Sequence, residues 1–210
     1  MSAAREEILS RVRIALGDDR GRIDIERSYR RRGTLSRTEL ADLLAERIAE
    51  YQASVHRVER GELRTRIEEI CSARQVGRLG LPPGLPGEWR PAGVELIEDH
   101  GLGPHELDGL DGVLTGCTLA IAETGTLVLG AGPREGRRAL TLVPDLHLCV
   151  VEAEQIVALV PEAIERLHEP VARERRPLTF VSGPSATSDI ELSRVEGVHG
   201  PRTLEVLLLP

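Results

Sequence analysis

Thr115-Gly-Cys-Thr-Leu-Ala-Ile-Ala-Glu-Thr-Gly-Thr-Leu-Val-Leu129 sets two apolar, strand-length runs on either side of the polar turn Glu123-Thr-Gly-Thr126. Val181-Ser-Gly-Pro-Ser-Ala-Thr-Ser-Asp-Ile-Glu191, followed by Gly197-Val-His-Gly-Pro201, repeats the arrangement. Each joins an apolar run to a small, glycine-bearing turn. An α/β protein presents backbone N–H groups, hydroxyls and one or two acids to a small anionic ligand in this way.

Outward from these stretches, short apolar runs bounded by Gly or Pro predict strands at residues 55–58, 94–98, 119–123, 126–129, 146–151, 178–182 and 204–208. Runs of this kind suit strands buried on both faces. Apolar stripes at helical spacing predict helices over residues 3–16, 38–54, 61–74 and 154–168, the last either continuous or broken before Pro161, which suits a first turn. Residues 80–91, rich in Pro and Gly, are expected to cross as a loop. The alternation predicts an α/β fold: an open, mostly parallel, Rossmann-like sheet with N-terminal helices and a ligand at the strand carboxyl ends. Residues 1–37 are expected to form a helix and a mobile Arg-rich arm, and residues 38–210 the α/β domain.

The chain has 210 residues, 40% of them hydrophobic and 2% aromatic, so its core is aliphatic. All 27 basic residues are arginine. Residues 1–90 carry 18 Arg against 15 acids, and residues 91–210 carry 9 against 19. An acidic body with few rings argues against a nucleic-acid surface, which needs a basic face and stacking platforms. No run has membrane-spanning length, and residues 1–16 are amphipathic rather than signal-like. Cys71, Cys117 and Cys149 are dispersed and show no ligand spacing, so no metal site or iron–sulfur cluster is expected from this chain alone. Isolated cysteines in aliphatic surroundings suit a reducing cytoplasm.

Four groups of residues are candidates for chemistry. Glu123 ends a strand beside Thr124, Gly125 and Thr126. It is either a nucleophile, general base or ligand anchor, or the solvated acid of a hairpin turn. The loop bearing Ser182, Gly183, Ser185, Thr187, Asp189 and Glu191 either cradles a phosphate or carboxylate or caps a helix. His199, beside Gly200, is either a functional imidazole in a close-approach turn or a structural one. His147 opens a strand and reads as structural. Residues 130–136 resemble a phosphate loop without its lysine and are expected to be mobile.

Taken together, residues 120–126, Pro144-Asp-Leu-His147, 182–191 and Gly197-Val-His-Gly-Pro201 resemble the LutC/YkgG family, the stand-alone form of the lactate-utilisation (LUD) domain. The resemblance covers about residues 111–210. It implies a fold of the sugar-phosphate isomerase and CoA-transferase type. It also implies a cytoplasmic role in oxidising L-lactate to pyruvate, as the smallest component of an assembly whose cysteine-rich partner subunits carry the iron–sulfur clusters. Self-association is left open. CoA transferases of that fold class use a strand-end Glu-Asn-Gly turn as acyl acceptor; Glu123-Thr124-Gly125 is similar, with Thr in place of Asn. The alternative is thus a self-sufficient enzyme of the CoA-transferase, formyltetrahydrofolate cyclo-ligase or sugar-phosphate isomerase type, acting on an acyl-CoA, folate or phosphorylated ligand.

Overall fold

The computed structural model describes residues 3–17, 25–184 and 199–210, together with the backbone of 186–187 and 195–196. The chain divides into two compact units, Met1–Arg30 and Arg31–Pro210. In the first, α1 (Ala3–Leu16) buries none of its residues, and its apolar Ile8, Val12 and Leu16 are exposed.

The second unit opens with an extended segment fixed to the body. Arg32 pairs with Glu165 at 2.7 Å, and the Gly33 N–H donates to Glu162 at 2.5 Å. A Cβ on Gly33 would lie 2.2 Å from the Ala158 Cβ, so only glycine passes here. Ser36 then caps α2 (Arg37–Glu50), with Glu39 completing a reciprocal capping box.

The main sheet is six-stranded and wholly parallel, in the order β1 (Ser54–Arg57), β12 (Thr203–Leu209), β7 (Leu146–Glu152), β4 (Gly112–Thr115), β2 (Arg78–Leu81), β3 (Glu95–Glu98). α3 (Leu63–Ala73) lies in the first crossover and α4 (Pro104–Asp108) precedes β4. A second, four-stranded sheet runs β8 (Ile156–Val157), β5 (Leu119–Ile121), β6 (Thr126–Leu129), β9 (Thr179–Val181), with β5–β6 and β6–β9 antiparallel. α5 (Val160–Glu174) follows β8, and β10 (Ala186–Thr187) pairs with β11 (Val195–Glu196).

Side-chain alternation along the strands assigns each face. On β12, Leu207 and Leu209 join Leu148, Val150 and α3's Ile67 in one core. Leu204, Val206 and Leu208 join Cys149, Val151 and α2's Ile48 in another. The sheet is therefore covered on both sides, by α3 on one and by α2 and the second sheet on the other. The far face of the second sheet packs Leu119, Ile121 and Val128 on α5's Ala163 and Leu167. Each such Leu or Ile contributes about 1.5–3 kcal/mol relative to exposure.

Several sequence expectations need correction. Residues 80 and 81, expected to open the crossing loop, instead end the interior strand 78–81, and residues 112–115 form another strand. Gly80 is small because a Cβ there would meet Leu110 at 2.7 Å. The last helix begins at Val160, not 154, because residues 153–157 form a 3₁₀ turn and β8; Pro161 does occupy its first turn. Residues 130–136 are packed rather than loose: Gly116 N–H donates to Arg134 O at 2.8 Å, and Glu135, buried, accepts from the Gly132 N–H. Among the described residues no helix is long and apolar enough to cross a membrane.

Candidate functional site

The turn at Glu123–Thr126 joins two antiparallel strands. Gly125 takes φ +59°, and a Cβ there would fall 2.8 Å from the Arg47 carbonyl carbon, so the turn sits directly on α2. Thr124 and Thr126 face each other, their hydroxyls 2.7 Å apart. Thr126 Oγ1 is also 2.9 Å from Ser182 Oγ, at the end of β9. The three hydroxyls form a chain from the turn to Ser182. Glu123 is exposed, and its N–H donates to Ala158 O at 3.1 Å.

Ser182 stands on the rim of a cleft of about 220 Å³. Gly183, His199 and Gly200 line the same cleft, so four of the residues singled out from sequence come together. Gly183 has φ +81° and approaches Tyr51 so closely that a Cβ would lie 2.3 Å from the tyrosine Cβ. Glu123, Thr124 and Thr126 do not line the cleft; the two threonines reach it only through Ser182. Ser185, Asp189 and Glu191 lie outside the described residues, and Thr187 is described by its backbone alone.

The cleft opens beside His147, at the start of β7, and beside Gly200 and Pro201, ahead of β12, at the amino ends of those strands and past the carboxyl end of β9 at Ser182. Paired charges occupy the carboxyl side. Glu152, at the end of β7, bridges Arg60 at 2.7 Å and Arg134 at 2.9 Å, and the Arg134 guanidinium stands 5.4 Å from the Trp89 ring centroid. Asp99, after β3, accepts from Arg137 at 2.7 and 2.8 Å. A larger cavity of about 430 Å³ at the carboxyl ends of β1 and β12 holds none of the singled-out residues, and its Arg57 is matched by Asp42 at 2.5 Å.

Three further residues line the smaller cleft: Arg138, Thr141 and His147. Arg138 is half-buried. Its Nη1 donates to Thr141 O and Oγ1, both at 3.1 Å, and its Nη2 to His199 O at 3.0 Å. Burial alone pushes its pKa below the usual arginine value. The available signal was an arginine heading the apolar run Arg138-Ala-Leu-Thr-Leu-Val143, where a guanidinium is unlike its neighbours. His147 is buried, with Nε2 2.8 Å from Thr115 Oγ1. Thr115 donates to Gly116 O, so it accepts from His147, which carries its proton on Nε2.

Cys117 and Cys149 are both buried; the Cys117 thiol donates to Gln155 Oε1 at 3.7 Å and the Cys149 thiol to Gly116 O at 3.6 Å. Cys149 and burial push the Cys117 thiol up, while Cys117 pulls Cys149 down against burial. Cys71 sits apart in the α3-side core, where burial pushes it up to about 11. Among the described residues no three His, Cys, Asp or Glu side chains are grouped to hold a metal.

A family model described as the LUD domain matches residues 105–209. Lactate utilization protein C of Deinococcus radiodurans is 47% identical over 176 residues, covering 83% of this chain and 82% of the relative. Uncharacterized protein YkgG of Escherichia coli (strain K12) is 40% identical over 84 residues, covering 39% of this chain and 36% of the relative. The crystal structure of a DUF162 family protein from Deinococcus radiodurans matches with a TM-score of 0.73 and 38% identity, over 84% of this chain and all of that one.

Proposed function

The chain belongs to the LUD domain family, and from that premise we propose that it serves lactate utilisation, as the small component of a cytoplasmic assembly that oxidises L-lactate to pyruvate. The observation that carries the reading is the 47% identity to a lactate utilization protein C along 83% of the chain. The chain's part is to bind a small anionic ligand in the cleft at the amino ends of β7 and β12. Electron transfer belongs to iron–sulfur and cysteine-rich partner subunits, because a four-thiolate cluster needs one more cysteine than the three present here.

The cleft suits this division of labour. At about 220 Å³ it lies below the usual range of roughly 300–1,000 Å³ for drug-sized ligands. That favours a small organic acid over an acyl-CoA or a folate. An acyl-transferring enzyme also needs its nucleophile against the ligand, and Glu123 does not line the cleft.

Co-expression with candidate iron–sulfur subunits, prepared without oxygen, tests the assembly. The expected result is a stable complex in which iron and sulfide purify with the partners and this chain alone is colourless. Failure to associate under those conditions, or a stoichiometric cluster on the isolated chain, contradicts the reading.

A further inference from the structure

Arg138 is half-buried and differs in its partners from Arg60, Arg90, Arg134 and Arg137; Arg64 and Arg166, which also meet only carbonyls, are exposed. Arg60, Arg90, Arg134 and Arg137 each have a carboxylate oxygen at 2.7–2.9 Å. Arg138 has none among the described residues; it meets two carbonyls and one hydroxyl. Those three bonds leave two of its five N–H groups without an acceptor among the described residues. Among the described residues no Asp or Glu lines the cleft, whereas His147 and His199 do. A half-buried charge without a counter-charge is costly, and an anion that supplies one is held correspondingly well.

The surroundings restrict the anion. Among the described residues a single arginine lines the cleft, which matches a single carboxylate, while a phosphate dianion or a dicarboxylate keeps unneutralised charge. Phe180, 45% exposed, supplies apolar surface on the same cleft, while Val181, the next residue of β9, packs against the core shared with α2. Ser182, whose hydroxyl belongs to the chain through Thr126 and Thr124, supplies a polar group at the rim. We propose that Arg138 is the anion anchor of this cleft and that its ligand is a short-chain monocarboxylate, with the carboxylate on the guanidinium and the aliphatic end against Phe180. This rests on the small-anion reading above but not on the existence of the assembly.

The test is titration of the isolated full chain, at constant ionic strength, with propionate, L-lactate and pyruvate, followed by calorimetry or by amide NMR. Lactamide, the neutral counterpart of lactate, and inorganic phosphate are the comparison probes. The expected result is saturable carboxylate binding at least tenfold tighter than that of either comparison probe. Arg138→Gln weakens it at least tenfold; Arg138→Lys, which keeps the charge but loses the fork, weakens it less. Equal affinity for lactate and lactamide, tighter phosphate than carboxylate, or no saturable carboxylate binding overturns the proposal. So does unchanged affinity in a folded Arg138→Gln variant. Should that variant not fold, the wild-type preference and Arg138→Lys decide, and identical binding by Arg138→Lys and wild type overturns the anchor. Carboxylate binding without partner association removes the assembly and keeps the anchor; association without binding does the reverse.

Discussion

Asp99 ties part of the fold's acid stability to one buried ion pair. Its side chain is almost fully buried, and burial raises its pKa, but the Arg137 guanidinium and the N–H groups of Leu102 and Gly101 outweigh that and hold it below the ordinary carboxylate value. A carboxyl with a depressed folded pKa adds stability that is fully present above its unfolded value of about 3.9 and is lost as pH falls through the folded value. Asp99→Asn should cost about 2–3 kcal/mol at pH 7, at the lower end for a broken buried pair because Arg137 is partly solvated. The gap between wild type and variant should narrow below about pH 4. Urea unfolding at a series of pH values checks this; a gap that stays constant to pH 2 speaks against the assignment.

At the scale of elements, the β5–β6 turn is built by its contact with α2. Gly125→Ala forces a left-handed residue into a Cβ position 2.8 Å from the Arg47 backbone. The expected loss is about 2–4 kcal/mol, combining the left-handed strain with overpacking. Gly61→Ala, with nothing within 4 Å of its Cβ, should stay within about 0.5 kcal/mol. Equal losses at the two positions would remove the close contact from the account. The turn also marks how far the sequence could be read. Apolar runs with flanking Gly or Pro located β6, β7 and β12 within two residues, since strands buried on both faces read as continuous hydrophobic segments, and they located the edge strand β9 as well, although its Phe180 is exposed. β2 escaped because Gly80 interrupts its run for a packing reason that only the neighbouring Leu110 explains. For the site, Ser182, Gly183, His199 and Gly200 were legible as a glycine-bearing polar cluster. Arg138 was not, because its importance lies in lacking a carboxylate neighbour among the described residues, which is a property of three-dimensional placement. The carboxyl side was equally illegible: Glu152 ends β7 and Asp99 follows β3, and the arginines that pair with them come from distant segments.

For the whole molecule, division of labour follows from what the chain carries. Its body is a doubly covered parallel sheet with buried thiols, a small cleft at the amino ends of β7 and β12, and a carboxyl side dense in ion pairs. In the function proposed above, this chain holds the small acid and a partner supplies the redox centre for its two-electron oxidation. The most direct measurement is lactate-dependent reduction of an artificial electron acceptor by the reconstituted assembly, with and without this chain, at matched iron content. The account predicts that omitting the chain lowers the rate at least tenfold and that adding it back restores the rate. An unchanged rate without the chain would contradict the central claim.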